Sequence, residues 1–194
     1  ETKVNVITTI DHNFASGIAR ISREVIADII ILGWPERSGF IDKLVGEKVD
    51  GILSNTDKTT VVGHIEKPLV LHKRLVVVVP PLAEHENGFD MWVGKIAKFS
   101  SELSIPIMIH CNEATENALH KSFKKARVST TLTFSSFSDW DDFFVLSRDV
   151  HEDDLFILVS ARIGATSYIG ALDHLPSKIE KHFATNSQIV IYPQ

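Results

Sequence analysis

Leu75-Val76-Val77-Val78-Val79-Pro80-Pro81 is a run of aliphatic residues, β-branched after the first, halted by two prolines. A run this short is strand-length, and its lack of polar alternation is what a parallel strand covered on both faces requires. Toward the C-terminus the pattern alternates regularly. It predicts helix Gly88–Leu103, strand Ile105–His110, helix Glu113–Ala126, strand Ser129–Ser135, helix Trp140–Arg148, strand Asp154–Ser160, helix Leu172–Phe183 and strand Gln188–Tyr192. Strands separated by single helices imply an α/β fold: a parallel sheet with helices on both faces and right-handed crossovers.

Toward the N-terminus, Glu66–Lys73 with Pro68 reads as a boundary, dividing the chain into blocks 1–67 and 74–194. The first block predicts strand Val4–Ile10, helix Asn13–Val25, strand Asp28–Gly33, helix Ile41–Ser54 and strand Thr59–Ile65. That order repeats Ser129 to Tyr192, so the first block reads as the last three strands of the unit that the second block contains whole. In a flavodoxin-like order the third strand lies at one edge and the fourth and fifth at the other, with the first two between them. A unit lacking those two cannot close its own sheet. The apolar final strands, Thr59–Ile65 and Gln188–Tyr192, are then open edges that invite pairing, within the chain or between two copies.

Composition excludes several function classes. The chain has 194 residues, 20 Lys+Arg against 25 Asp+Glu and a net charge of −5, which opposes binding to nucleic acid or an anionic membrane. Cys111 is the sole cysteine, so no intrachain disulfide forms and no cysteine zinc cluster is available. No window is apolar enough to span a bilayer. The chain opens without methionine, already in a strand-like pattern, and reads as part of a longer polypeptide.

The loop after the Asp28–Gly33 strand resembles the signature of the universal stress proteins, G-x2-G-x9-G-(S/T), which wraps the phosphates and ribose of ATP. Gly33 and Gly46 keep the first and third glycines, while Glu36 and Glu47 replace the second glycine and the hydroxyl residue. Glu47, expected at a helix N-terminus, would compete there with a phosphate. In the second block the same spacing from Ser160 falls on Ile163, Asp173 and His174, with no glycine at any key position.

A wider resemblance is carried by Ile10-Asp11-His12-Asn13-Phe14-Ala15-Ser16-Gly17-Ile18, Ile31-Leu32-Gly33-Trp34, Val76 through Glu84, and Val159-Ser160-Ala161-Arg162. These runs look like the soluble C-terminal region of bacterial cation:proton antiporters of the sodium/proton exchanger type, in which stress-protein-like units follow a transport domain. The resemblance implies a Rossmann-like universal stress protein fold, one partial unit followed by one complete unit. It further implies a regulatory or assembly module on the cytoplasmic face, partnered by the transmembrane domain of its own polypeptide and containing no transport pathway.

Two sets of residues are site candidates. Gly33, Gly46, Glu47 and Lys48 form the degenerate nucleotide loop. Ser160, Arg162, Gly164 and Thr166, with Ser167, offer a guanidinium, hydroxyls and flexible backbone to a small anion, or else a hydrogen-bonded loop in which Arg162 ties down an acidic neighbour. His110-Cys111 ends a strand, but strand neighbours point to opposite faces, which counts against a reactive pair. The nine histidines never fall at the i, i+4 spacing of a helical zinc pair, and solvated imidazoles or pH sensing are the readings open to them. Asp139, Asp141 and Asp142 read as helix-start charges with Ser138 or Asp139 as cap. Lys121, Lys124, Lys125 and Arg127 read as a solvated helix end or a surface for an acidic partner. No catalytic set, metal site or cofactor is expected; the acidic replacements count against ATP.

Overall fold

The computed structural model describes residues 4–33, 42–173, 175, 179 and 182–194, with the backbone alone at 42–48. The sheet is assembled around the aliphatic run that opens the second block. Arg74–Val78 is β3, and Leu75, Val76, Val77 and Val78 are each at most 1% exposed. Its neighbours are β6 (Asp154–Val159) on one side and β4 (Ile107–Cys111) on the other, both parallel. β5 (Leu132–Ser136) extends the sheet beyond β4, and β7 (Ser187–Tyr192) extends it beyond β6.

β1 (Ile29–Gly33) and β2 (Thr59–His64) of the first block are parallel to each other. β2 then pairs antiparallel with β7, Thr60 opposite Tyr192 and His64 opposite Gln188, giving one seven-stranded sheet in the order β1-β2-β7-β6-β3-β4-β5. The two apolar edges anticipated from sequence therefore meet within one chain.

Side chains alternate across β3 and β6 into two apolar layers. Leu75, Val77, Leu155, Ile157 and Val159 face α3 (Phe89–Leu103) and α4 (Glu113–Ala126), where Trp92, Val93, Ile96, Leu119 and Phe123 meet them. Val76, Val78, Phe156 and Leu158 face Phe137, Trp140, Phe143, Leu146, Leu172 and Phe183. Phe156 stacks on Phe183 with ring centroids 4.4 Å apart. At one end of this layer the Asp154 carboxylate accepts Nε of Arg74 at 3.0 Å and Nη2 at 2.5 Å, a buried bidentate pair that fixes the β3–β6 register.

Helix starts follow their caps. Asn13 accepts the N–H of Ser16 at 2.9 Å and opens α1 (Phe14–Glu24); Asn112 accepts that of Thr115 at 2.8 Å and opens α4. α1 packs against α2 (Asp42–Asn55).

Three expectations change. Val4–Ile10 is not a strand but an arm outside the sheet, with Val6 at 88% and Ile10 at 96% exposure. Its place in a complete unit would be beside a second strand, and the first block has none to offer the ladder. The expected helix Trp140–Arg148 is a 3-10 segment, Phe143–Arg148. Consecutive aromatic and β-branched residues favour α-helix weakly, and the Ser147 hydroxyl bonds back to the carbonyl of Phe144 at 2.7 Å. The helix expected over Leu172–Phe183 begins as a 3-10 turn at Gly170–Asp173, with residues 174, 176–178, 180 and 181 outside those described.

The packing sets a contrast testable by urea denaturation. Phe156→Ala, emptying the centre of the aromatic layer, lowers stability by about 3–5 kcal/mol, and Ile31→Ala, on the open face of β1, changes it by less than about 0.5 kcal/mol.

Candidate functional site

In a parallel sheet of this kind ligands sit at the carboxyl ends of the strands, where the order reverses direction; here that is between β3 and β6. The loop after β3 runs through Pro80-Pro81, turns at Leu82 in the left-handed region (φ 65°) and forms a 3-10 turn at Ala83–His85. The loop after β6 runs from Ser160 to Ser167, with Gly164 at φ 86°, where a side chain would be strained.

The two loops satisfy each other. Glu86 Oε1 accepts the backbone N–H of Ser167 at 2.7 Å. Glu84 Oε2 accepts the Thr115 hydroxyl, at the start of α4, at 2.8 Å. A backbone N–H at this edge is the kind of donor that would cradle a phosphate. The chain's own carboxylate holds this one, and a second carboxylate stands nearby in sequence. The polarity suits the internal bond and opposes an anion.

Arg162, the expected anion-binding group, is spent on carbonyl oxygens. Its Nε donates to Pro193 at 2.9 Å, Nη1 to Leu53 at 2.6 Å and Thr56 at 2.8 Å, and Nη2 to Lys58 at 2.6 Å. Leu53 and Thr56 lie at the end of α2, and Lys58 just precedes β2. Burial holds the guanidinium below its ordinary pKa, with Asp57 acting in the opposite direction. Of the other residues in that set, Ser160 is buried with its N–H on the carbonyl of Ile191 at 2.8 Å, while Gly164 and Thr166 are exposed. Ser167 is buried, and its hydroxyl has no hydrogen-bond partner.

In the first block, Gly33 ends β1 with open space where a side chain would stand. The loop with Trp34, Pro35 and Glu36 lies outside the described residues. Gly46, Glu47 and Lys48 fall inside α2, whose first residue is Asp42, so Glu47 is more than a turn past the helix start. The expected competition between Glu47 and a phosphate at a helix N-terminus does not have that geometry, because the helix begins earlier than the motif spacing implied.

His110 and Cys111 point to opposite faces. Cys111 joins the layer under α3 and α4, and burial, aided by Glu116 and Glu84, pushes its thiol up to about 12. It stays protonated. Among the described residues no group of three His, Cys, Asp or Glu is placed to hold a metal ion. Asp139 accepts the N–H groups of Asp141 and Asp142, both at 3.2 Å, in a turn that precedes the 3-10 segment; that segment starts after Asp142 without a side-chain cap, so neither Ser138 nor Asp139 caps it. Lys125 pairs with Asp90 at 3.0 Å.

No family model matches the sequence, and no curated protein matches it. Solved structures do match in shape. A universal stress protein from Archaeoglobus fulgidus superposes on 93% of this chain with TM-score 0.50 and 12% identity. A putative universal stress protein from Pseudomonas aeruginosa UCBPP-PA14 superposes on 94% with TM-score 0.56 and 8% identity. The fold is that of the universal stress proteins. A Pseudomonas aeruginosa PAO1 protein of unknown function shares it, with TM-score 0.53 over 94% of the chain at 9% identity. The chain spans 64% of the Archaeoglobus stress protein and 69% of each Pseudomonas chain.

Sequence reasoning missed Glu84 and Glu86 as site residues. Their signal was present: two carboxylates within three residues at the carboxyl end of a strand, just past a double proline. Arg162 was found, but its partners are backbone carbonyls and not an acidic neighbour, and three of the four lie about a hundred residues away in the other block, beyond local reading.

Two outcomes follow. Arg162→Ala strands several carbonyls and lowers stability by about 3 kcal/mol, with Arg162→Lys recovering part, both measured by urea denaturation. Cys111 does not react with Ellman's reagent at pH 8 in the folded protein and reacts at once in denaturant.

Proposed function

We propose that this chain is a non-enzymatic regulatory and assembly module on the cytoplasmic face of a membrane monovalent cation:proton antiporter. The observation that carries the regulatory reading is the self-satisfied carboxyl edge. Glu86 holds the Ser167 N–H and Arg162 holds four carbonyls, so the groups suited to phosphate are used internally. The buried, protonated thiol supports a role without nucleophilic chemistry. The antiporter assignment is supported by the likeness of the Ile10–Ile18, Val76–Glu84 and Val159–Arg162 runs to that group's C-terminal region. None of the described helices is long and apolar enough to cross a membrane; on this reading ion passage is assigned to a transmembrane domain of the same polypeptide.

On this reading the union of β2 with β7 makes a stiff platform from two pieces of chain, suited to transmitting force or contact between a transporter and its regulators. A free-standing nucleotide-binding stress protein is the competing assignment, favoured by the shared fold.

Titration calorimetry with ATP and Mg²⁺ separates the two. The module gives no heat of binding at micromolar concentrations; micromolar affinity, lost in Gly46→Trp, establishes the competing assignment. For the antiporter itself, deleting residues 1–194 from the parent transporter in everted vesicles alters the pH profile or cation dependence of exchange and leaves exchange present. A reading frame that starts just before Glu1 overturns the assignment.

A further inference from the structure

His110 is 1% exposed on β4, and neither of its ring nitrogens has a hydrogen-bond partner. Most buried imidazoles bond through at least one nitrogen, so a fully orphaned ring is a costly feature. Its side chain shares the sheet face of Val76, Val78 and Met108, the face that carries the aromatic layer. Ser135 of β5 lies opposite His110, and Phe137, two residues further, falls on the same face.

The segment of residues 137–149, most of the connection from β5 to β6, crosses this face. It presses Phe137, Trp140, Phe143 and Leu146 into the layer and leaves Ser138, Asp139, Asp141, Asp142, Ser147 and Arg148 in solvent. Its ends are tied to the sheet by the Phe137 N–H on the carbonyl of Cys111 at 2.9 Å and by Arg74 Nη2 on the carbonyl of Asp149 at 2.8 Å. Between those ends adhesion is apolar, and the local structure is a 3-10 turn.

We propose that residues 137–149 form a proton-released strap, in which a proton taken up by His110 unseats Phe137, Trp140 and Phe143 from the sheet. A protonated imidazole carries two N–H donors and a charge, and no acceptor among the described residues is hydrogen-bonded to either ring nitrogen. Releasing the strap would give both donors access to solvent. The charged groups facing the layer supply no acceptor to the ring. On β3 and β6, Arg74 and Asp154 are committed to each other. At the end of the strap, Asp149 acts favourably on His110 from a solvent-exposed position, while Arg74 opposes it. Asp139, Asp141, Asp142 and Arg148 of the strap and His151 beyond it are exposed, as is His182, which stacks on Phe144 at 3.9 Å.

Burial holds His110 below its ordinary value of 6.5 in the closed state, Asp149 partly offsetting this. The folded value is depressed, so the closed state's advantage is complete above pH 6.5 and is lost as pH falls below it toward the folded value. With an open state that titrates near 6.5, the opening constant rises between pH 7.5 and 5.5, by at most about tenfold. The proposal is independent of the membrane assignment.

Hydrogen exchange read by mass spectrometry, corrected for the intrinsic pH dependence of exchange, tests it on the intact chain. Protection in 137–149 falls from pH 7.5 to 5.5, by at most about tenfold, while α3, residues 89–103, is unchanged, and His110→Leu abolishes the difference. His110→Gln serves the same purpose should the leucine variant not fold. Equal loss in both segments, no loss at all, or a loss that persists in the folded variant overturns the proposal.

Discussion

One arginine bridges the two blocks of the chain. The guanidinium of Arg162 leaves the carboxyl end of β6 and gathers carbonyls from the end of α2, the start of β2 and the segment after β7. A planar group with five donors in a fixed fork can serve several spread-out acceptors at once, where a lysine has three donors on a single nitrogen. Those carbonyls lie where backbone leaves regular structure, so each would otherwise need water. The clamp sits at one end of the β2–β7 junction and reinforces the antiparallel ladder that makes a single sheet of two incomplete neighbours.

That junction explains why a partial unit is stable as part of this chain. β1 and β2 alone are a two-stranded ribbon, a marginal structure in water. Joined to β7, β2 becomes an interior strand: Thr60 and Val62 are buried, and Ile52 of α2 is fully covered. β1 stays at the edge, with Ile31 largely exposed, and the arm before α1 has no strand to join.

Legibility in the sequence follows the range of the interaction involved. β3 and β6 were readable because continuous apolar runs of strand length can be little else, and α4 emerged at the expected Glu113–Ala126, opened by the Asn112 cap and closed by the left-handed Arg127. The 3-10 strap was read as a helix because its apolar spacing is helical, while the Asp139 and Ser147 side chains that break the regular ladder act through competing local bonds. Two open apolar edges implied a junction, but not that they meet within one chain. Arg162 was visible as a site-like residue; its carbonyl partners were not, since they come together only when the sheet closes. Glu86 belongs to the same class, its partner being 81 residues away.

Because β2 and β7 run in opposite directions, the strand polarity of the sheet flips midway across it. The carboxyl end of β1 at Gly33 and that of β6 at Val159 therefore lie at opposite rims, separated by the length of the strands, about 20 Å for six residues. No small molecule reaches both, so anything bound at one rim communicates with the other only through the rigid body of the sheet, and two partners can engage the protein from above and below without competing.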